Sequence, residues 1–423
     1  MISNKLIAID FGSTHISAIA AEIQENGAIK VLSDETKPSD EIKWGIVEKP
    51  TGASFKVSEL LKLLKNSAKI PDITYVSVSV GAKSMKQITA SVSRFVAKPN
   101  IVNEALLTSM SDECERNLTN SSVAVFDVIP VLHELDGIPT EDPIGKSAIQ
   151  ITTTYHVVVG NAIIKTELER CFDRTGIVLE YSPLSIESIS TIVVEEHERQ
   201  AGCALINFGA TTTTMAVYYE GILQDMILVP LGASNITKDI EELGINEANA
   251  ERLKCLKGCA LESMIEEPIY IQIPSSVPGN PPVKISTQFL ATIIEARLEE
   301  IMQPIFDAID QLPFPLDAGI IITGGGSKLN NIIDFIAEKT GIYARMGGHS
   351  EWLSDDTDTK YYDQKYAQLI GTALLTNEYR KDHPVETILE DPKKKPKIPK
   401  RNIGDKLAGV FINFFSDETE NKF

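Results

Sequence analysis

A strand–turn–strand unit near the start of the chain returns 197 residues later, and few folds accommodate such a repeat. In the first copy Leu6-Ile7-Ala8-Ile9 runs into Asp10-Phe11-Gly12-Ser13-Thr14, and an apolar run follows from Ile16 to Ile23. Asn26-Gly27 is then a two-residue hairpin signal, and Ile29-Lys30-Val31-Leu32 opens a third strand. In the second copy Ala204-Leu205-Ile206 runs into Asn207-Phe208-Gly209-Ala210-Thr211-Thr212-Thr213. Met215 to Tyr219, a turn at Glu220-Gly221 and Ile222 to Val229 complete it. At this offset Phe11-Gly12 falls on Phe208-Gly209, and Asp10 falls on Asn207. Two copies of one supersecondary unit predict two related α/β halves. A chance likeness between two hairpins is the alternative, and the chemistry of the turns speaks against it.

Each copy sets a turn of small residues after an apolar strand. Gly12 and Gly209 permit close backbone approach, and Ser13, Thr14, Thr212 and Thr213 place hydroxyls beside backbone N–H groups. Such a turn cradles phosphate, and two of them facing across a cleft would hold a polyphosphate from both sides. Asp10 stands at the C-terminal end of its strand, where ligands of α/β sheets gather. A carboxylate there suits Mg²⁺, directly or through water, while a turn-capping role is the structural alternative. A third motif follows the buried strand Gly319-Ile320-Ile321-Ile322. It reads Thr323-Gly324-Gly325-Gly326-Ser327 and precedes a helix expected over Leu329 to Thr340. Strand, glycine triplet and helix let a ligand approach the backbone near a helix N-terminus.

Three small-residue loops in this order resemble the actin-like ATPase superfamily: two phosphate loops about two hundred residues apart, then a late adenosine loop. Within it the chain is similar, along almost its whole length, to the FtsA family of bacterial cell-division proteins. Val229-Pro230-Leu231-Gly232-Ala233-Ser234-Asn235-Ile236-Thr237-Lys238-Asp239-Ile240 is similar to a family segment after the second phosphate loop. Ala250-Glu251-Arg252-Leu253-Lys254, with Gly258, resembles the family helix whose Glu and Lys approach the nucleoside. Asp142-Pro143-Ile144-Gly145 resembles a motif of the family's inserted subdomain, called 1C. Tyr366 to Leu375, with Gly371, resembles its late connecting helix.

The resemblance implies an α/β, actin-like, duplicated ribonuclease-H-like fold: two lobes around a nucleotide cleft, with an inserted α+β subdomain. It implies ATP and Mg²⁺ as cofactors. Asp10 would serve the metal, and Gly12, Ser13, Thr14, Gly209, Thr212 and Thr213 the phosphates. Gly232, Glu251, Lys254, Gly324, Gly325, Gly326 and Ser327 would serve the rest of the nucleotide. The implied partners are a second copy in a filament, the C-terminal peptide of the tubulin-like protein FtsZ, and later division proteins through the inserted subdomain.

Several positions depart from the family pattern in residue type. His15 stands where the first loop usually has lysine. The second loop usually reads Asp-Ile-Gly-Gly-Gly-Thr-Thr-Asp, but here Asn207 to Thr214 is neutral at both acidic positions. An acidic residue commonly precedes the proline of the first connecting helix, and here Ser182 precedes Pro183. An amide or hydroxyl donates and accepts hydrogen bonds but supplies neither negative charge nor a carboxylate base. Phosphoryl transfer depends on positioning metal and water, so nucleotide binding with slow or absent hydrolysis is expected. No catalytic residue is assigned.

The expected division is 1–83 for the start of the first lobe, 84–160 for the inserted subdomain and 161–200 for the rest of that lobe. The second lobe takes 201–234 and 301–377, and 235–300 forms a subdomain over the nucleotide that contacts FtsZ. Residues 378–401 read as a basic linker with a span of roughly 25–30 Å. In 402–415, Ile403, Leu407, Val410, Phe411 and Phe414 share one helical face, with Phe415 beside them.

Charge bears on that tail. The chain carries a net −19, but residues 393–401 hold six positive charges and no negative one, leaving −25 elsewhere. The acidic body disfavours nucleic acid. The basic cluster beside an amphipathic segment favours an anionic membrane surface, and docking back onto the body is the alternative. No run approaches 18 consecutive apolar residues, and the N-terminus lacks a signal-peptide pattern. The five cysteines read as reduced, mostly buried thiols rather than a metal site or staples. The expected location is cytoplasmic, peripheral on the inner face of the membrane at the division site. A pilus-assembly scaffold of the same fold and a soluble small-molecule kinase remain as alternatives. The neutral second loop and the tail speak against a kinase.

Overall fold

The computed structural model describes residues 5–173 and 175–382, without the side chains of 96–100 and 382. The basic linker beyond residue 382 and the amphipathic segment 402–415 lie outside the described residues. The described chain divides into two compact units. One comprises 5–88, 118–127 and 157–382, and the other 89–117 and 128–156.

The first unit holds both halves of the repeat. Its chain begins with β1 (Lys5–Phe11), β2 (His15–Ile23) and β3 (Ile29–Pro38), then α1 (Pro50–Ser67) and β4 (Tyr75–Ser79). The excursion that contains the second unit follows: β5 (Lys86–Ile101), α2 (Glu104–Leu118), β6 (Val123–Leu135), β7 (Ile138–Thr140) and β8 (Ser147–Asn161). The chain then continues through α3 (Ile163–Phe172), β9 (Val178–Tyr181), α4 (Ser185–Val193) and α5 (Glu196–Ala201). The second lobe is built from β10 (Cys203–Phe208), β11 (Thr213–Tyr219), β12 (Ile222–Val229), α6 (Ala233–Glu241), α7 (Glu247–Lys257) and the hairpin β13 (Tyr270–Ile273) with β14 (Val283–Ser286). After it come α8 (Thr287–Asp310), β15 (Gly319–Thr323), α9 (Ile332–Thr340) and β16 (Ala344–Met346). Helix α10 (Ala367–Asp382) ends the described chain.

The duplication extends beyond the hairpins. One sheet has the order β9-β4-β1-β2-β3 and the other β16-β15-β10-β11-β12, the same order strand for strand. Register agrees as well. Asp10 pairs with Ser17 across β1 and β2, and Asn207 with Thr214 across β10 and β11. On the parallel side Asp10 neighbours Ser79 and Asn207 neighbours Thr323. The central strands are buried because helices cover the sheets, so β1 and β10 read as continuous apolar runs rather than alternating ones. In α1, Val57, Leu60, Leu61 and Leu64 recur on one helical face and are buried. In the second lobe Leu290, Ile294, Leu298 and Ile301 of α8 do the same against Ile206, Met215 and Ile320.

Two boundaries differ from the sequence expectation. The helix expected from Leu329 begins at Ile332, because Gly325–Lys328 forms a 3₁₀ turn instead. Residues 378–382, expected as the start of the linker, belong instead to α10, which ends at Asp382. Tyr379 stacks on Tyr181 with ring centroids 4.6 Å apart, and Arg380 ion-pairs with buried Glu180, so this last turn is held.

The second unit is a sheet of order β5-β8-β6-β7 with α2. Met110, Ser111 and Cys114 are the buried residues of α2, and Tyr155 is fully buried. Arg94 donates to Ser109 Oγ (2.6 Å) and Glu113 Oε2 (2.7 Å). The sequence range 84–160 is wider than this unit, since 118–127 and the ends of β5 and β8 cluster with the first. All five cysteines are free thiols, and only Cys255 is exposed.

Candidate functional site

The strand ends of both sheets of the first unit open into one cavity of about 820 Å³. That volume is in the range of small-molecule sites. The first lobe contributes Asp10, Gly12, Ser13 and Thr14, and the second contributes Gly209, Thr212, Gly324 and Gly325. The two turns are alike in detail. A Cβ on Gly12 would sit 2.7 Å from His15 O, and one on Gly209 would sit 2.8 Å from Thr212 O. The loops also meet: Thr211 Oγ1 donates to Ser13 Oγ at 2.6 Å, across 198 residues of sequence. Gly324 holds φ +90° beside Asn207 Oδ1 and Phe208 O, a conformation and a closeness that side chains resist.

Six of the expected residues do not line this cavity. Thr213 is fully buried, and its hydroxyl donates to Leu231 O at 2.9 Å. Gly232 backs onto the carbonyls of Gly209 and Ala210, while Ala233 N and Ser234 N donate to those two carbonyls at 3.0 and 2.8 Å. Gly326 packs against the Phe208 ring, and Ser327 Oγ donates to Gly324 O at 2.7 Å. Lys254 Nζ reaches Ala233 O (3.0 Å), Thr237 Oγ1 (2.8 Å) and Glu251 Oε2 (2.6 Å). Burial pushes the Glu251 carboxyl up, but hydrogen bonds from Lys254 and Thr237 outweigh it and hold the pKa below the usual value. These residues brace the glycine turn after β10, the start of α6 and the glycine turn after β15 from behind.

Asp10 is the lobe-specific charge. Burial raises its pKa to about 6, against the opposing effect of a hydrogen bond from Gln368. Its counterpart Asn207 is neutral, and Asn207, Thr214 and Thr323 line the same cavity. Ser182 does not. Among the described residues no group of three His, Cys, Asp or Glu side chains could hold a metal by itself. A buried carboxylate beside two turns of small residues suits Mg²⁺, which takes one or two carboxylates and completes its shell with phosphate and water. The residues present therefore fit Mg²⁺ delivered with a nucleotide, with Asp10 as the protein's carboxylate.

Several lining residues carry no local signal in the sequence. Ser79 and Ser185 arrive from β4 and α4, and Gln368 from α10. The segment 359–366 forms a wall that touches both lobes. Asp34 of β3 accepts from Lys360 Nζ (2.7 Å), Tyr366 Oη (2.7 Å) and Tyr361 Oη (3.0 Å). Burial raises the pKa of Asp34, and these donors more than reverse it, so the net shift is downward. On the other side Thr323 Oγ1 donates to Gln364 Oε1 (3.0 Å) and Lys328 Nζ to Asp363 Oδ2 (2.5 Å). No local motif announces this wall, because its partners lie about 40 residues away on one side and over 300 on the other.

Two matched sheets around one cleft, each with its turn of small residues, define an actin-like fold. Solved structures agree. A PilM–PilN type IV pilus biogenesis complex matches with TM-score 0.62 and 14% identity, covering 88% of this chain and 98% of that one. MreB5 of Spiroplasma citri bound to ADP matches with TM-score 0.56 and 13% identity, covering 90% and 98%. Sequence comparison narrows the class. The profile of the family described as "Cell division protein FtsA" matches residues 204–371. The cell division protein FtsA of Borreliella burgdorferi is 25% identical over 97% of this chain and 99% of its own length. By sequence the chain is thus similar to FtsA cell-division proteins along most of its length, as its loops and connecting helices suggest.

Proposed function

We propose that the chain is an ATP-binding FtsA-type protein that self-assembles and tethers FtsZ filaments to the cytoplasmic membrane through residues 402–415. One observation carries the nucleotide part: phosphate-type loops from both lobes touch each other on a single cavity that the adenosine loop also lines. Gly12, Ser13, Thr14, Gly209 and Thr212 would hold the phosphates, and Gly324 and Gly325 the nucleoside. Mg²⁺ held through Asp10 would neutralise phosphate charge. The second lobe offers an amide and a hydroxyl, Asn207 and Thr214, so it has no carboxylate there to act as a base. Binding without rapid turnover is the expected behaviour. Nucleotide closes the lobes and sets the shape that assembles.

In a calorimetric titration of ATP with Mg²⁺, Asp10→Ala is expected to weaken binding by roughly tenfold to a hundredfold, the scale of removing one charge-assisted interaction. Unchanged affinity would remove the assignment of this cleft.

The partner part rests on resemblance and on a surface. Met264, Tyr270 and Phe289 are exposed apolar side chains of the 235–300 region. Their segments are tied together by Thr287 N to Ile269 O (3.0 Å) and Gln288 Nε2 to Glu262 Oε1 (2.5 Å). Such a patch suits a short peptide with apolar anchors, as the FtsZ C-terminus would supply. Among the described residues no helix is long and apolar enough to cross a membrane. Tethering is therefore assigned to the amphipathic tail and its six adjacent positive charges, strengthened by many tails in one filament.

Vesicle flotation tests the tethering. Full-length protein should rise with anionic vesicles and carry FtsZ with it, and a chain ending at residue 390 should leave both below. Equal behaviour of the two chains would remove the anchor. Flotation of the protein without FtsZ would favour the pilus-assembly type of scaffold.

A further inference from the structure

We infer that Gln368 is a positioning residue for the Asp10 carboxylate and, resting on the nucleotide reading of this cleft, a determinant of its preference for metal-bound nucleotide. Gln368 Nε2 donates to Asp10 Oδ1 at 2.7 Å and lies 3.0 Å from Ser79 Oγ and 3.2 Å from Ser185 Oγ. One amide nitrogen, with two protons, thus joins β1, β4 and α4 at the floor of the first lobe.

The amide cannot drift, because its helix is pinned one turn further on. A Cβ on Gly371 would stand 1.8 Å from Ser188 O, so the backbones of α10 and α4 are in direct contact. Thr372 Oγ1 donates to Gln368 O at 2.7 Å and lies 3.1 Å from Ser188 Oγ. The donor is therefore placed by a crossing of two helices rather than by a loop.

The second lobe offers a comparison within the same molecule. Thr323 occupies the register position equivalent to Ser79, and it is met by the other glutamine of this segment, Gln364. There the amide accepts through Oε1, and the neighbouring central residue is Asn207, which is neutral. Among the described residues an amide donor reaches the central residue of the first lobe, Asp10, and none reaches its counterpart Asn207. With Oδ1 taken by Gln368, Asp10 is left with Oδ2, which no hydrogen bond among the described residues engages. That oxygen lies 3.7 Å from the position a Cβ on Gly12 would occupy, on the side of the first phosphate loop. Gln368 fixes which carboxylate oxygen faces the ligand.

The test is calorimetric titration of full-length protein with ATP, once with Mg²⁺ and once with EDTA. Gln368→Met keeps the length of the side chain and removes the donor. The expected result is a loss of roughly tenfold in affinity with Mg²⁺, the scale of one hydrogen bond to a charged group, and no change with EDTA. In an Asp10→Asn background the same substitution should add nothing further. Equal losses with Mg²⁺ and EDTA, an additive loss in the Asp10→Asn background, or no loss at all would each overturn the role. Should Gln368→Met fail to give the wild-type circular dichroism spectrum, Gln368→Ser carries the same comparison. A wild-type chain that binds ATP under neither condition would overturn the nucleotide reading itself. Failure of the Gln368 role is different, because there the wild type binds and the variant does not differ as stated.

Discussion

Gly371→Ala is expected to destabilise the first unit by about 3 kcal/mol or more, a loss at the upper end for overpacking. The added methyl would stand 1.8 Å from Ser188 O and 2.5 Å from Ser188 C. Both are backbone atoms within α4, so no rotamer change relieves the clash. Either α10 moves away from α4 or one of the helices bends. Leu369, Ile370 and Ala373 flank the crossing and are buried, so a shift of the helix also opens the core around them. Urea unfolding followed by circular dichroism reads this as a lower midpoint at unchanged slope. A loss below about 1 kcal/mol would mean that the two helices do not pack backbone to backbone. The same shift would carry Gln368 away from Asp10, so weaker Mg²⁺–ATP binding should accompany the lower midpoint.

Arg380→Ala should cost about 3–5 kcal/mol, the usual cost of leaving a buried charge without its partner. Glu180 is 1% exposed and receives both Arg380 Nε (2.6 Å) and Arg380 Nη2 (2.7 Å). Arg380 Nη1 also donates to Lys5 O at 3.2 Å, which ties the end of α10 to the start of β1. Truncating the arginine strands a carboxylate in an apolar setting between β9 and α10. Replacing both members with apolar residues, Glu180→Leu with Arg380→Met, should recover most of the loss, because the stranded charge is then absent. Thermal unfolding of the single and double variants checks this. A double variant as unstable as Arg380→Ala would point to packing around Tyr379 rather than to charge. The pair also explains why α10 outlasts the boundary expected from composition. A stretch of polar residues with a helix-compatible pattern reads as linker until a buried acid 200 residues away is known to receive its arginine.

The repeat is legible because each copy is local. Apolar strand, glycine turn and apolar strand lie within about twenty residues, and their order does not depend on what surrounds them. The structure adds that the likeness holds for strand order and register. Small residues alone lead one to expect phosphate turns, and Gly12, Ser13, Thr14, Gly209 and Thr212 line the cavity. Thr213, one residue on, does not, because the period of two along β11 turns it into the core. Resemblance implies that Glu251 and Lys254 reach the nucleoside. In this fold Glu251 accepts from Thr237, and Lys254 donates to Thr237 and Ala233 of α6.

Local chemistry thus determined the two lobes, the three loops and the neutrality of the second of them, since each is written in a contiguous stretch. Tertiary packing alone decided which hydroxyls and amides share the cleft with those loops. Gln368 meets Asp10 across 358 positions of chain and Asp34 meets Tyr366 across 332. Contacts of that reach depend on how helices cross and strands order themselves, and no periodicity within one segment records either.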